Sequence, residues 1–250
     1  MHDIESLIEI IKYNNSLLKD PKQKVSVAEA YGKENFCYFI YSLIKMQKPK
    51  TVLELGTGFG TTALMIAQAL KENKKGKIIT IDNGEDWIKI KNLINTNFLT
   101  HKDFFNYLIN KFKLNDFIQL KNTTLSLDKK FKFNKKIDFL FDDAINNDSL
   151  GCINVLKTYL PMMNYSSSIF IDRASTLFDS YLLLEKIIYQ LNKGKIPTTI
   201  SNNMTLKKQK LLYDFINKSK FTLVHLKEDI DTKINKLQDS TAWIKIEPND

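Results

Sequence analysis

The chain has 250 residues, 43% of them hydrophobic, and its formal net charge is +9. This length and apolar content are enough for one large domain with its own core, or for two small domains at most. No segment reaches the roughly 20 apolar residues that a membrane-spanning helix needs, so no membrane association is expected. Acids near the N-terminus argue against a signal peptide, and the widely separated Cys37 and Cys152 are interpreted as packing residues of a cytoplasmic protein.

The positive charge is compatible with a nucleic-acid partner, because clustered cations displace the counterions of a phosphate backbone. The lysines, however, are spread over every segment, and Arg173 is the only arginine among 37 basic side chains. Recognition of phosphates and bases favours the forked guanidinium of arginine. A nucleic-acid partner is therefore not favoured, although the dense cluster Lys129–Lys136 keeps that alternative open.

The first 48 residues have a helical pattern. Five apolar residues fall on one helical stripe: Ile4, Leu7, Ile8, Ile11 and Leu18. A second helical segment, Glu34–Gln47, ends just before Pro49. We expect residues 1–48 to form a helical extension, either a lid over the functional site or the contact of a homodimer, beside a main domain of residues 49–250.

Short apolar runs begin at residue 51. Thr51–Leu55 is followed by glycines and then by a strong amphipathic helix pattern, which is the order strand, turn, helix. Four more runs are predicted as strands: Lys77–Asp82, Phe117–Asn122, Ile137–Asp143 and Ser168–Asp172. Helical segments separate the strands, including one predicted over Trp87–Phe112. Strands that alternate with helices indicate an α/β fold with a parallel sheet and right-handed crossovers.

The C-terminal region has a different pattern. Two strand-like runs, Phe221–Glu228 and Ser240–Glu247, are separated by a segment too short for a helical crossover, so they should pair as an antiparallel hairpin. Between the fifth strand and this hairpin, residues 194–220 form a polar insertion with one predicted helix, Leu206–Asn217.

The turn after the first strand is the most informative stretch. The segment ELGTGFG, Glu54–Gly60, has three glycines in a G-x-G-x-G arrangement. Glycine is needed where the backbone takes a positive φ or approaches a ligand closely. The dinucleotide fingerprint G-x-G-x-x-G has one more residue before its last glycine. Because the carboxylate of Glu54 would repel a pyrophosphate, the turn favours a cationic ligand over a dinucleotide.

The segment VLELGTGFG, Val52–Gly60, resembles the first motif of class I S-adenosylmethionine-dependent methyltransferases. The resemblance covers roughly residues 32–173 in motif order, and the C-terminal hairpin resembles the closing strands of that fold. It implies a Rossmann-like, mostly parallel seven-stranded sheet of order 3-2-1-4-5-7-6, with helices on both faces and an antiparallel C-terminal hairpin. It also implies S-adenosyl-L-methionine as the cofactor.

The resemblance also implies which residues contact this methyl donor. The cofactor-binding residues are expected to be Glu54, Gly56, Thr57, Gly58, Gly60, Asp82, Asn83, Asn122 and Thr123. Asp82 ends the second strand and would bind the ribose, because a carboxylate can accept hydrogen bonds from both ribose hydroxyls. The alternative for Asp82 is a helix cap or turn acid, and Asn122 and Thr123, expected near the adenine, could equally form a polar turn.

In such a fold, ligands bind beyond the carboxyl ends of the strands, where Asp143 and Asp172 follow strands four and five. This layout is similar to the catechol O-methyltransferase-like branch, which has a metal-binding aspartate after strand four and an Asp-Asn pair after strand five. Asp143 and Asp172 match the two aspartates and would be the ligands if a divalent metal binds. Arg173 replaces the asparagine, and a guanidinium offers no oxygen ligand and repels a cation, so catalysis without a metal is expected.

Asp143, Asp172 and Arg173 are thus the candidate catalytic residues. Arg173 could bind a carboxylate or phosphate of the acceptor, or orient Asp143; its alternative is an ion pair without a direct role. Either aspartate could accept a proton from the acceptor if burial raises its pKa. His101 and His225 are interpreted as structural, as lone histidines usually are.

The sequence therefore predicts an S-adenosylmethionine-dependent methyltransferase that acts on an oxygen atom of a small molecule, with an anionic molecule as one candidate. An RNA or DNA methyltransferase is the first alternative, although the Asn/Asp-Pro-Pro-aromatic motif of many amino-directed nucleic-acid enzymes is missing and strand four ends in FDDA. A noncatalytic module that binds the donor is the second.

Overall fold

The structure is a computed structural model of the chain and describes residues 2–19, 34–125, 135–144, 149–174, 178–231 and 236–249. The predicted lysine cluster lies outside the described residues up to position 134, as does the part of the N-terminal extension between residues 20 and 33. Within the described part of the chain, no helix is long and apolar enough to cross a membrane.

Seven strands form one mixed sheet of order β3-β2-β1-β4-β5-β7-β6. The strands are β1 Thr51–Leu55, β2 Lys77–Asp82, β3 Ile118–Asn122, β4 Ile137–Asp142, β5 Met163–Asp172, β6 Ser219–Asp231 and β7 Lys236–Pro248. Strand β2 pairs in parallel with β1 and β3, and β4 pairs in parallel with β5. Strand β7 is antiparallel to both β5 and β6. The predicted fold class, strand order and C-terminal hairpin are confirmed.

Helices connect the strands. They are α1 His2–Ser16, α2 Glu34–Gln47, α3 Thr61–Glu72, α4 Trp87–Leu93, α5 His101–Lys111, α6 Ser149–Tyr159, α7 Phe178–Asn192, α8 Thr198–Ser201 and α9 Leu206–Asn217, and a 3-10 turn Leu160–Met162 follows α6. The helix predicted over Leu206–Asn217 is confirmed as α9. The chain divides into two compact units, residues 1–125 and 126–250, which are described separately below.

In the first unit, the core lies between the sheet and α3. Strand β1 is a nearly continuous apolar run, which is typical of a parallel strand covered on both faces. Helix α3 is buried along most of its length, from Thr61 to Leu70. Each fully buried large apolar side chain, such as Leu64 or Ile66, contributes about 1.5–3 kcal/mol to folding.

The described part of the N-terminal extension packs into the first unit. Helix α1 lies against α3, and the Asn14 amide Nδ2 donates a hydrogen bond to Thr61 Oγ1 at 2.9 Å. After the helix, the Lys19 N–H donates to the Leu93 carbonyl oxygen at 3.0 Å. Helix α1 is therefore fixed to the start of α3, directly after the glycine turn.

The prediction of one helix over Trp87–Phe112 is wrong. The segment contains α4 and α5, separated by extended residues, because Ile94 takes an extended conformation and forms a β-bridge with Leu18. Helix α5 then begins anew with Thr100 as its N-cap, whose Oγ1 accepts a hydrogen bond from the Asp103 N–H at 3.1 Å. The break matters because it determines where His101 lies.

In the second unit, stacked aromatic rings cross three strands. Phe139 of β4 stacks on Phe170 of β5 with ring centroids 5.0 Å apart, and Phe170 stacks on Trp243 of β7 at 5.5 Å. The Trp243 indole Nε1–H donates to Ser168 Oγ at 3.1 Å. Such cross-strand pairs help to fix the register of the sheet.

Strand β5 begins at Met163, earlier than the predicted start at Ser168. The added residues are mostly polar, so the apolar pattern did not include them. They are held by hydrogen bonds instead, since Asn164 Nδ2 donates to Asp138 Oδ1 and Ser167 Oγ donates to the Asn164 carbonyl oxygen. Cys37 and Cys152 do not form a disulfide, and both are buried in the core as predicted.

Candidate functional site

The glycine turn after β1 uses all three of its glycines. Gly56, Gly58 and Gly60 have φ angles of 85°, 50° and 87°, a region that other residues rarely occupy. The Gly56 N–H donates to the Ile81 carbonyl oxygen of β2 at 2.9 Å. A Cβ atom on Gly60 would lie 2.2 Å from Cε2 of Phe105, so α5 approaches the turn as closely as a glycine allows.

The carboxylate of Asp82 binds the glycine turn. Its Oδ2 accepts hydrogen bonds from the backbone N–H groups of Thr57 at 2.9 Å and Gly58 at 3.0 Å. Its Oδ1 accepts from the Gly84 N–H at 2.7 Å. The side chain is 18% exposed, and a carboxylate offers about four acceptor positions, so these three bonds leave capacity for a ligand hydroxyl. Asp82 is thus the turn acid considered above, and the ribose contact is compatible with that role.

Glu54 is a buried acid next to the turn. Its side chain is 1% exposed, Oε2 accepts a hydrogen bond from Thr80 Oγ1, and Oε1 has no hydrogen-bond partner among the described residues. Burial raises the pKa of this carboxyl group to about 8; the Thr80 hydrogen bond lowers it and the Asp82 charge raises it further. At neutral pH the carboxyl group is mostly protonated, and a cationic ligand beside it would favour the ionised form.

His101 also contacts the turn, which the sequence did not predict. Its Nε2 lies 2.7 Å from the Gly58 carbonyl oxygen, and its Nδ1 lies 4.0 Å from Asp82 Oδ1. The side chain is buried, with its ring stacked on Phe105 at a centroid distance of 6.0 Å. The capping pattern before α5 signals where the helix starts, but nothing in the sequence signals a contact with Gly58.

The remaining residues predicted to contact the methyl donor lie at the ends of β2 and β3. Asn83 Oδ1 accepts a hydrogen bond from the Glu85 N–H at 3.0 Å, which forms a polar turn. Asn122 is paired in register with Asp82, and the Thr123 N–H donates to the Asp82 carbonyl oxygen at 2.9 Å. Asn122 and Thr123 are exposed at this edge. The first unit thus brings all nine predicted donor-binding residues to the carboxyl ends of three neighbouring strands.

In the second unit, Asp143 interacts with Asp172 and Arg173. Desolvation by the surrounding protein, and then the interaction with Asp172, raise the pKa of Asp143 well above its ordinary value, while the Arg173 guanidinium lowers it. Asp143 has many protein atoms around it but is exposed to solvent. Solvent therefore reduces the rise in its pKa. Asp172 Oδ1 also accepts a hydrogen bond from Thr241 Oγ1 at 3.0 Å.

Arg173 lies beside this pair. Its Nε is 3.6 Å from Asp172 Oδ2, and its side chain is 51% exposed. Its φ of 58° is a left-handed conformation that asparagine tolerates better than arginine. Lys48, Lys74 and Lys113 adopt positive φ as well, so the backbone conformation alone does not indicate a function.

The described residues contain no group of three or more histidine, cysteine or acidic side chains that could hold a metal ion. Asp143 and Asp172 supply two carboxylates, which is fewer than the six oxygen ligands that Mg²⁺ prefers, so waters or a substrate would have to supply the others. Arg173 adds positive charge where such an ion would lie.

A protein-family model described as a methyltransferase domain matches residues 53–173. This part of the chain is therefore similar to a methyltransferase domain. The match begins in β1, ends at Arg173, and includes the glycine turn, Asp82 and both aspartates of the second unit. The resemblance of the sequence to methyltransferases is confirmed. No curated protein sequence matches the chain.

Solved structures of methyltransferases share the fold at low sequence identity. An O-methyltransferase from Bacillus cereus in complex with SAH is 17% identical, with a TM-score of 0.52, over 96% of this chain and 90% of that chain. The SAH-bound Podospora anserina methyltransferase PaMTH1 is 13% identical, with a TM-score of 0.55, over 98% and 88%. The O-methyltransferase TomG from Streptomyces achromogenes, in complex with SAM, is 12% identical, with a TM-score of 0.52, over 99% of each chain.

The buried Glu54 should make the stability of the protein depend on pH. Because its pKa is about 8 when folded and 4.5 ordinarily, the folded state binds the proton more tightly, so burial of Glu54 should lower stability as pH rises from about 4.5 to about 8. The free energy of unfolding of Glu54→Gln, relative to that of wild type, should therefore be higher at pH 9 than at pH 5, by on the order of a few kcal/mol. Urea unfolding of both proteins at the two pH values measures this.

The exposed Glu85 provides the control, since Glu85→Gln should change the stability difference little between the two pH values. An equal difference between Glu54→Gln and wild type at pH 5 and pH 9 would contradict a neutral buried Glu54.

Proposed function

We propose that the chain transfers a methyl group from S-adenosylmethionine to an oxygen atom of a small molecule. The observation that carries the proposal is the arrangement of Asp82 beside a turn with three positive-φ glycines, at the carboxyl ends of β1 and β2. The methyltransferase domain supports the reaction type. Two of the three similar structures described above are O-methyltransferases, which supports oxygen as the methylated atom.

The residues of the first unit fit this donor chemically. When bound, S-adenosylmethionine supplies an activated methyl group on a positively charged sulfonium. At the half-buried Gly56 and Gly58 the turn offers backbone without a side chain, and Asp82 retains acceptor capacity for a ribose hydroxyl. Oε1 of Glu54, which has no hydrogen-bond partner among the described residues, suits a ligand that carries positive charge. Asn122 and Thr123 would contact the adenine.

The second unit supplies side chains that could bind the methyl acceptor and take its proton. Asp143 interacts with Asp172, and the raised pKa of the Asp143 carboxyl group suits it to accept the proton of a hydroxyl group on the methyl acceptor. The half-exposed guanidinium of Arg173 can bind a carboxylate or phosphate of the acceptor in a bidentate manner. In this proposal Arg173 supplies the positive charge that a divalent cation supplies in the metal-dependent branch, and no metal ion is needed.

The proposal extends to the setting of the enzyme. An anionic small molecule is the proposed acceptor because Arg173 and the lysine-rich composition favour negative ligands. The cytoplasm is the proposed compartment because the two cysteines do not form a disulfide. The N-terminal extension is proposed to cover the donor site or to form the contact of a homodimer, in keeping with the packing of α1 against α3.

Donor binding is tested by calorimetric titration with S-adenosylhomocysteine. Wild type should bind in the micromolar range, and Asp82→Ala should weaken binding at least tenfold, equivalent to about 1.4 kcal/mol, because it removes the ribose acceptor and releases the turn. Asp86→Asn, a change to an exposed acid in the next turn, is the matched control and should bind like wild type.

Wild-type protein that binds NAD and gives no heat with S-adenosylhomocysteine would refute the proposed donor. Equal affinity of the folded Asp82→Ala variant would refute the role of Asp82.

The role of Arg173 is tested by methylation of a panel of phenols, catechols and hydroxy acids with labelled S-adenosylmethionine, with and without a chelator. Wild-type activity should survive chelation. Arg173→Lys should be about a hundredfold slower or worse, because an ammonium cannot form the planar two-bond contact of a guanidinium. The charge is the same in both proteins, so a loss reports on geometry.

A different outcome would assign the site otherwise. Wild-type activity that a chelator abolishes and magnesium restores would place a metal on Asp143 and Asp172 and leave Arg173 as an ion-pair partner. RNA is assayed beside the panel. If wild type binds S-adenosylmethionine tightly but methylates neither the panel nor RNA, the noncatalytic alternative is favoured.

A further inference from the structure

His101 is fixed in place by the start of α5. Thr100 Oγ1 donates a hydrogen bond to Asp103 Oδ2 at 2.7 Å and accepts one from the Asp103 N–H, so the first helical turn is capped. The His101 ring lies between Trp87, at a centroid distance of 5.9 Å, and Phe105. Only 4% of His101 is exposed, so its ring has little freedom to move.

The polar edge of this ring is directed at the glycine turn. The distance of 2.7 Å between Nε2 and the Gly58 carbonyl oxygen is that of a strong hydrogen bond. A carbonyl oxygen can only accept, so Nε2 must carry the hydrogen and donate it. Nδ1, at 4.0 Å from Asp82 Oδ1, is too far away for a direct hydrogen bond to that carboxylate.

Gly58 is therefore bound on both of its peptide groups. Asp82 accepts from its N–H at 3.0 Å, and His101 donates to its carbonyl oxygen. A glycine loses more conformational freedom on ordering than any other residue. These two hydrogen bonds restrict the backbone of Gly58, which has no side chain to restrict it. Without the His101 bond, the peptide group after Gly58 could rotate.

We propose that His101 is a positioning residue for the methyl donor: it holds the Gly58 carbonyl group so that the turn has its binding conformation before the donor arrives. The inference rests on the proposed function, because it concerns binding at the same turn. A turn that is ordered in advance binds more tightly, since the ligand does not have to offset the cost of ordering it.

Two variants separate the N–H donor from the ring. His101→Phe keeps an aromatic ring between Trp87 and Phe105 but removes the hydrogen-bond donor. His101→Gln removes the ring but retains a terminal amide N–H at a reach similar to Nε2. His225→Phe, a change to the histidine of β6 in the second unit, is the control. Circular dichroism and thermal unfolding of each variant establish that it is folded.

The measurement is titration with S-adenosylhomocysteine, together with the KM for S-adenosylmethionine. We expect His101→Phe to weaken binding about tenfold and to raise KM with little change in kcat, whereas His101→Gln should bind within about threefold of wild type. A purely structural role would instead make both variants unstable, with affinity following stability. Folded His101→Phe that binds as tightly as wild type, or His101→Gln that is as weak as His101→Phe, would overturn the inference.

A spectroscopic measurement on the ligand-free protein tests the hydrogen bond independently of the donor. Long-range proton–nitrogen NMR at about pH 8.5, well above the ordinary histidine pKa of about 6.5, should show His101 as the Nε2–H tautomer. The Nδ1–H tautomer would overturn the inference even if the donor binds. If wild type shows the Nε2–H tautomer but does not bind S-adenosylhomocysteine, the proposed function fails, the Gly58 bond stands as a structural feature, and the donor-positioning role is overturned.

Discussion

The hydrogen bonds of Asp82 are the interaction on which the candidate site depends. One carboxylate accepts the N–H groups of Thr57, Gly58 and Gly84, and so joins the end of β2 to the turn that follows β1. A backbone donor left without a partner costs about 1–3 kcal/mol when it is buried, and the three glycines of the turn have no side chains of their own to hold a conformation. Asp82, which lies outside the turn, therefore helps to set its shape, together with the bond from the Gly60 N–H to the Thr57 carbonyl oxygen within it.

Two acids at this turn have different surroundings and, in this account, different tasks. Asp82 is partly exposed and has three amide donors, whereas Glu54 is buried and has a hydroxyl donor on only one oxygen within the described part of the chain. Burial keeps the pKa of Glu54 near 8, so a nearby cationic ligand would stabilise its ionised form. Asp82 offers hydrogen-bond acceptors. Together they favour a ligand with hydroxyl groups and positive charge, as the methyl donor has.

Local sequence signals were enough to predict the strands, the glycine turn and the position of Asp82, because a run of apolar residues, a glycine pattern and an acid at a strand end are all close together in the chain. The start of β5 was missed because Asn164 and Ser167 are held by hydrogen bonds and not by an apolar face. The break before His101 depends on a bridge between Ile94 and Leu18, which are distant in sequence. The sequence gives no signal for the contact of His101 with Gly58, since the two residues are brought together only by the packing of α5.

A crystal structure of the protein with S-adenosylhomocysteine would show whether Asp82 binds the ribose of the methyl donor. We expect a ribose hydroxyl to lie within hydrogen-bond distance of Asp82, about 3.2 Å or less, with the glycine turn unchanged and His101 still bonded to the Gly58 carbonyl oxygen. A ligand bound away from the turn, or a ribose held by other residues while Asp82 contacts only backbone amides, would contradict it.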